Sequence, residues 1–384
     1  MRNTLANARA VGELVASMLP WVPTRGPSKS SDVTAEWLTA NLGMRAPGAV
    51  AQSVTSLDGT TGTTDRRRLA VEWNATGRRA GLPANIFVKS SPLTAKNRGM
   101  VAALGMSNNE VRFYRELADE LAGVCPKAWY GYAAIGARFL IVLDDIVADG
   151  AVPYALADRC ELGHAHGLID AFAELHSKYW GSPRFDGDLN WVRTWSTRPG
   201  YAVLKRFYKR GRREALRLDR AEVTPAVRST AAALDANIDA YHRQFEAGPL
   251  TLLHGDSHLG NSYSRPDGRS GLLDWQVIWR GPGLREVTYW MITGLDADVR
   301  RDHECDLLAR YLDGLRRGGA TEVPSDDAAF DRYRLFSAEA WDATAMTIAW
   351  PGLQSAENAE AGWRRACIAV EDLDTASAVN SIGK

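Results

Sequence analysis

The chain has 384 residues, 45% of them hydrophobic and 24% charged, with Lys plus Arg equal to Asp plus Glu at 46 each. That length exceeds what one simple core organises, so two domains or lobes are expected. The even charge balance lacks the basic excess of a nucleic-acid binder, and no run of about 18 apolar residues is present to span a membrane. The four cysteines, Cys125, Cys160, Cys305 and Cys367, are scattered without a CxxC pair. This is the pattern of a reduced, cytoplasmic chain, neither a disulfide scaffold nor a zinc module.

In chain order, the first segment, "MRNTLANARAVGELVASMLP", breaks its apolar stretch with Glu13. A signal peptide is therefore not expected, and an amphipathic helix with Leu5, Ala8, Val11, Val15 and Met18 on one side is. "SDVTAEWLTANLG" follows as a short helix with Asp32 as N-cap and Gly43 as terminator. Three extended segments come next: "AVAQSVTSL", "RRRLAVEW" and "ANIFVKSS", the first two joined by "DGTTGTTD". "SNNEVRFYRELADELAG" reads as a helix, with Val111, Tyr114, Leu117 and Leu121 at helical spacing, and "KAWYGYAA" and "ARFLIVLDDI" as two further strands. Beyond about residue 150 helical patterns dominate: 161 to 180, 201 to 219, 225 to 247, 284 to 316, and 327 to 375 in pieces broken near Pro351. A small β-rich lobe thus precedes a larger helical one, with the join near Asp145.

The exception in the helical half is "TLLHGDSHLGNSYSRPDGRSGLLDWQ", residues 251 to 276. Two short apolar runs, "TLLH" and "GLLD", each end on a polar residue. A buried carboxylate is costly unless a cation or dedicated hydrogen bonds offset it, and here Asp256, Asn261 and Asp274 fall close together. "RPDG" suits a hairpin turn, and pairing the two runs would bring their ends to one edge. A base, an amide oxygen and a second carboxylate could then converge on one cation. Mg²⁺ takes hard oxygen ligands together with substrate phosphates, and phosphoryl transfer needs both the metal and an Asp that orients the attacking hydroxyl.

"HGDSHLGN" followed by "LLDWQ" resembles the catalytic and metal-binding segments of the aminoglycoside phosphotransferase and choline kinase superfamily. Within it the chain is most similar to the ecdysteroid-kinase-like branch, which also carries a Gln after the aromatic residue. The resemblance spans roughly residues 50 to 295. It implies an α+β, protein-kinase-like two-lobed fold: a nucleotide-binding lobe over 1–145, with a helical extension over about 1–43, and a catalytic and acceptor-binding lobe over 146–384. It further implies ATP and Mg²⁺ as cofactors, with Asp256 as catalytic base and Asn261 and Asp274 as metal ligands. "NIFVKS" resembles the strand carrying the phosphate-binding lysine, Lys89. "NNEVRFYREL" resembles the helix whose glutamate pairs with it, Glu110, with Glu116 as a second candidate. "LIVLDDI" resembles the hinge whose backbone meets adenine near Leu143 and Asp144. "DGTTGTTDRRR" stands where a phosphate-covering hairpin belongs, with Gly59 and Gly62 but no GxGxxG. Two departures stand out. Gly255 replaces the Arg of the protein-kinase HRD triplet, and Arg285-Glu286 stand where the family usually shows an Asp-Leu pair whose Asp contacts the catalytic loop.

Other features carry plainer readings. His164, His166 and His176 lack metal-site spacing and are expected to be packed or solvated. The basic run "KRFYKRGRREALRLDR" is expected to be a solvated helix face, or an attractor of an anionic substrate or partner. Trp341, Trp350 and Trp363, expected mainly as core, together permit an apolar, aromatic acceptor site. A polycation would need several carboxylates facing the acceptor; Asp326, Asp327, Asp331, Glu339 and Asp342 lie in that region but are interleaved with Trp341, Met346, Ile348 and Trp350, and the basic run would repel a polycation. The expected acceptor is a small hydroxylated molecule, neutral or anionic and partly apolar, with neither nucleic acid nor membrane as partner. Two alternatives stay open: a non-catalytic nucleotide- or metabolite-binding pseudokinase, and a metal-dependent hydrolase using the HGDSH segment.

Overall fold

A computed structural model describes residues 11–19, 22, 24, 26–198 and 200–382. The chain divides into two compact units, Met1–Ala151 with Asp274–Val277, and Val152–Leu273 with Ile278–Lys384.

The first unit is built on a five-stranded antiparallel sheet: β1 (Ala51–Thr61), β2 (Asp65–Trp73), β3 (Asn85–Ser90), β4 (Ala128–Ala134) and β5 (Arg138–Asp144), in the order β1-β2-β3-β5-β4. Alternation sends Leu69, Val71, Trp73, Ile86, Val88, Leu140 and Val142 to one face, where they form a core with Leu38 and Leu42. Lys89 therefore points to the opposite face. Residues 11–18 are helical (α1), as expected, and Val11, Val15 and Met18 are each about 60% exposed. Leu5 and Ala8 lie outside the described residues. The next helix, α2 (Ala35–Asn41), begins two residues later than expected for an Asp32 cap, because the Thr34 hydroxyl accepts the Trp37 amide while Asp32 sits in a 3-10 turn. The β1–β2 connection is only Gly62–Thr64. Thr60 and Thr61 suit an extended backbone and continue the ladder where a longer loop was expected. Two helices with weak apolar patterning, α3 (Ala75–Arg79) and α4 (Ala95–Ala103), precede α5 (Met106–Glu116). Sheet, lysine strand and following helix occur in protein-kinase-like order.

The second unit is mainly helical: α6 (Leu162–Lys178), α7 (Tyr201–Ala215), α8 (Pro225–Gln244), α9 (Gly283–Gly294), α10 (Ala297–Arg317), α11 (Asp326–Ala349), α12 (Ala356–Asp372) and α13 (Thr375–Ser381). The expected helix over 284 to 316 is two, since Leu295 turns extended and Asp296 starts α10. Short strands complete the unit: β6 (Val152–Pro153), β7 (Thr251–Leu253), β8 (Ser262–Ser264), β9 (Ser270–Leu272) and β10 (Trp279–Gly281). The runs "TLLH" and "GLLD" do not pair with each other. β7 pairs with β10, and β9 pairs with β8 across the "RPDG" turn. The turn itself is as expected, with Gly268 at φ +82° and its amide on the Arg265 carbonyl at 3.0 Å. The three residues "SYS" carry too short a pattern to announce a strand, which is why β7 seemed the natural partner. Among the described residues no helix is long and apolar enough to cross a membrane.

Candidate active site

In the first unit, β3 delivers Lys89 and α5 delivers Glu110 from its buried side, which also carries Met106, Phe113 and Tyr114. Lys89 is 4% and Glu110 1% exposed, and both Glu110 carboxylate oxygens lie 2.8 Å from Lys89 Nζ. The same ammonium donates to Asp274 Oδ1 at 2.8 Å. Glu116 is excluded as the lysine's partner because it faces solvent and pairs with Arg112 one turn away, at 2.8 and 2.9 Å. α5 also anchors the segment Asp274–Val277. Phe113 stacks on Trp275 with centroids 3.9 Å apart, and Asn109 donates to the Gln276 carbonyl at 3.3 Å. Asp274 adopts φ +65°, a left-handed conformation that a non-glycine residue holds only where its surroundings over-determine it.

Burial alone would lower the Lys89 pKa, but Asp274 and Glu110 together hold it above its ordinary value. Burial pushes Glu110 up to about 7, Lys89 opposes that, and Asp274 adds to it. The ammonium thus stays charged between two carboxylates, a cation fixed in advance for an anionic ligand.

The proposed hinge and hairpin residues are placed but partly engaged. The Asp144 amide donates to the Lys127 carbonyl at 3.0 Å and its carboxylate accepts from Trp129 Nε1 at 2.5 Å, so Asp144 N–H is not a free donor for adenine. Leu143 is buried on the same face of the sheet as Lys89, since Ile141 and not Val142 stands opposite the lysine. Gly59 lies within β1 opposite Arg67, and Gly62 opens the turn, its amide bonded to the Thr64 carbonyl at 3.0 Å.

In the second unit, β7 leads into a loop at His254–Gly255, where Gly255 takes φ +89°. His254 Nε2 meets the Leu273 carbonyl at 2.6 Å and therefore carries the proton, while Nδ1 accepts the Asp256 amide at 3.3 Å. With both ring nitrogens committed, His254 has no lone pair for a metal. Asn261 Nδ2 donates to the Asp256 carbonyl at 2.8 Å, leaving its amide oxygen as an acceptor, and the Leu273 amide donates to the Asn261 carbonyl at 2.8 Å. The Asp256 carboxylate, 41% exposed, accepts from the Tyr289 hydroxyl at 3.2 Å.

Glu286 is the residue whose weight the sequence hid. Fully buried, it accepts the His254 amide at 2.9 Å, the Gly255 amide at 2.7 Å and His176 Nε2 at 3.1 Å. His176 is held in turn by the Tyr311 hydroxyl at 2.8 Å. Burial would raise the Glu286 carboxyl, but His176 and the loop amides hold it below the usual range. The loop contact that the Arg285-Glu286 departure put in question is made, by Glu286 with a side chain one methylene longer than aspartate. Gly283 allows this approach, because a Cβ there would meet Tyr311 Oη at 2.1 Å and His176 Nδ1 at 2.8 Å. His164 is likewise structural, bonded to Ser270 and Ser262 at 2.8 and 2.9 Å.

The buried carboxylates of α11 are paired with arginines. Glu339 forms an ion pair with Arg285, and Asp342 with Arg212, which also binds Asp235. Arg285 lies over the rings of Trp279 and Tyr289. Trp341 and Trp363 are fully buried core residues, whereas Trp350 stacks on Phe207 with centroids 3.9 Å apart. Among the described residues no cluster of three or more His, Cys, Asp and Glu side chains is placed to hold a metal. Asn261 and Asp274 do offer hard oxygens of the kind Mg²⁺ accepts alongside phosphates.

No protein-family model matches the chain, and no curated protein matches it. Among solved structures, the chain is similar to the choline kinase LicA from Streptococcus pneumoniae, at 12% identity and a TM-score of 0.48 over 88% of this chain and 97% of that one. It is similar to a choline/ethanolamine kinase family protein from Mesorhizobium loti, at 16% identity and 0.47 over 85% and 92%. It is also similar to a spectinomycin phosphotransferase in complex with ADP and spectinomycin, at 12% identity and 0.48 over 91% and 100%. At these identities and scores such likenesses carry no argument about what this chain does.

Proposed function

We propose that the protein is a phosphotransferase that moves the γ-phosphate of ATP to a hydroxyl of a small molecule. The observation that carries this reading is Lys89 Nζ fixed at 2.8 Å from both Glu110 and Asp274 in the first unit. Such a cation is buried and held charged, ready to meet a phosphate. Asp256 accepts the proton of the acceptor hydroxyl through the carboxylate oxygen that Tyr289 does not occupy. Tyr289 orients that carboxylate, and Glu286 fixes the backbone on which it is carried. Asn261 and Asp274 supply oxygen ligands to Mg²⁺, which when bound neutralises phosphate charge. Leu143 and the segment after it border the adenine. The Gln276 that follows Trp275 favours the ecdysteroid-kinase-like branch of the superfamily. The commitment of both His254 nitrogens weighs against a hydrolase built on HGDSH.

The acceptor is a hydroxylated small molecule, neutral or anionic and partly apolar. Support comes from Glu339 and Asp342, whose charges are balanced by Arg285 and Arg212. On α7, Lys205 pairs with Asp239 and Arg212 is buried, while much of the remaining basic run is solvated. The test is a screen of ATP consumption over hydroxylated metabolites and antibiotics, repeated with Asp256→Asn. Loss of a general base should lower turnover roughly 10²–10⁴-fold on the acceptor found, with ATP affinity little changed. Full turnover by the variant would remove Asp256 from this role.

A further inference from the structure

The run Arg66-Arg67-Arg68 lies in β2, and antiparallel pairing with β3 sorts its side chains by face. Arg66 stands opposite Lys89 and Arg68 opposite Phe87, whereas Arg67 stands opposite Val88 on the core side. Directly paired residues share a face, so Arg66 and Arg68 lie on the side of the sheet that carries the lysine. Arg68 is committed, its Nε lying 3.0 and 2.9 Å from the two Asp145 oxygens and its Nη1 3.0 Å from Asp58. Arg66 is not. Among the described residues it has no carboxylate or carbonyl partner, and its Nε is buried without an acceptor.

A buried donor left unmade is expensive, which asks for an acceptor supplied from outside the chain. Two further facts say what kind. Arg66 stands directly across the ladder from Lys89, so the guanidinium and the ammonium share one face of the sheet. Its Nη2 lies 3.7 Å from the point where a Cβ at Gly62 would begin, directly beside the β1–β2 turn. The ammonium of Lys89 is already balanced by two carboxylates. A polyphosphate therefore needs a second cation there, and a guanidinium fork matches phosphate oxygens two at a time.

We propose that Arg66 is a second phosphate-binding cation of the nucleotide site, taking the terminal phosphates of a nucleoside triphosphate under the Gly62–Thr64 turn, beside Lys89. This rests on the phosphotransferase reading above and adds a residue to it. The test is calorimetric titration of the full-length chain, wild type, Arg66→Gln and Arg66→Lys, with ATP, ADP and AMP in the presence of Mg²⁺. Arg66→Gln should weaken ATP binding roughly 10- to 100-fold, the range of lost charge-assisted hydrogen bonds. AMP, which lacks the terminal phosphates, should bind within about twofold of wild type if the fold is intact. Arg66→Lys should recover part of the loss, since it keeps the charge but not the fork. Unchanged ATP affinity, or equal losses for ATP and AMP, would overturn the assignment while leaving the phosphotransferase reading in place. A wild-type protein that binds none of the three nucleotides would overturn that reading itself.

Discussion

Glu286→Gln is the sharpest test of how the His254–Gly255 loop is held. The carboxylate receives three donors: the amides of His254 and Gly255, and His176 Nε2. Glutamine keeps the shape but has one oxygen. If that oxygen takes the His254 side, the new NH₂ confronts the Gly255 N–H; in the other orientation it confronts His254 N–H. Either way at least one buried donor loses its acceptor (in the second orientation His176 Nε2 does as well), and the remaining bonds lose charge assistance. Hydrogen bonds to charged groups contribute about 1.5–3 kcal/mol each, and an orphaned buried donor costs about 1–3 kcal/mol. The sum expected for Glu286→Gln is therefore a loss of about 3–5 kcal/mol, the range for breaking a buried charged pair. Urea unfolding followed by tryptophan fluorescence measures it, since six of the Trp side chains are among the largest fully buried ones. Glu286→Asp, which keeps the charge but loses a methylene of reach, should fall between wild type and Gln. A Glu286→Gln protein that unfolds within about 1 kcal/mol of wild type would refute the claim that this carboxylate organises the loop.

Asp274→Ala should abolish the Mg²⁺ dependence of ATP binding in calorimetry; equal enhancement by Mg²⁺ in wild type and variant would place the metal elsewhere. His164, bonded to Ser262 and Ser270 and held by burial down to about 4 from an ordinary 6.5, binds its proton more readily in the unfolded chain. Stability is therefore expected to fall as pH drops from 6.5 towards 4, with up to about 3 kcal/mol lost to this group by the lower end. His242, also held at about 4 mainly by burial, acts with the same sign. His164→Gln should flatten the pH dependence of unfolding by up to about 1.4 kcal/mol per pH unit within that window, and an unchanged slope would refute the assignment.

The fold was most legible where pattern and environment agree. β3 and β5 alternate or run apolar as sheet strands do and fall close to where the sequence places them; α5 begins where its apolar spacing places it but ends at Glu116, short of the Leu117 and Leu121 expected within it, and Ala118–Leu121 form a 3-10 turn. Pairing was harder. The apolar runs "TLLH" and "GLLD" are the strongest strand signals of the helical half, yet each joins a weaker partner, Trp279–Gly281 and Ser262–Ser264. Three-residue strands hold together through their surroundings more than through propensity. Here His164 supplies part of those surroundings by bonding Ser262 and Ser270 from the neighbouring helix, a contact that no local pattern announces.

The candidate site divides along the same line. Lys89, Glu110 and Asp274 are local in motif, and the structure brings them to one ammonium although 185 residues separate the lysine from the aspartate. What the sequence could not supply is reach. Read by type and position, Glu286 is a departure, because one methylene more than aspartate suggests a lost contact. Read with Gly283 three residues earlier, it is a match. The absent Cβ lets the start of α9 close on His176 and Tyr311, and that approach sets the distance the longer side chain spans. The glycine was the available signal. A carboxylate one methylene longer still reaches both loop amides and His176, and a motif that scores residue type at each position alone counts it as a loss.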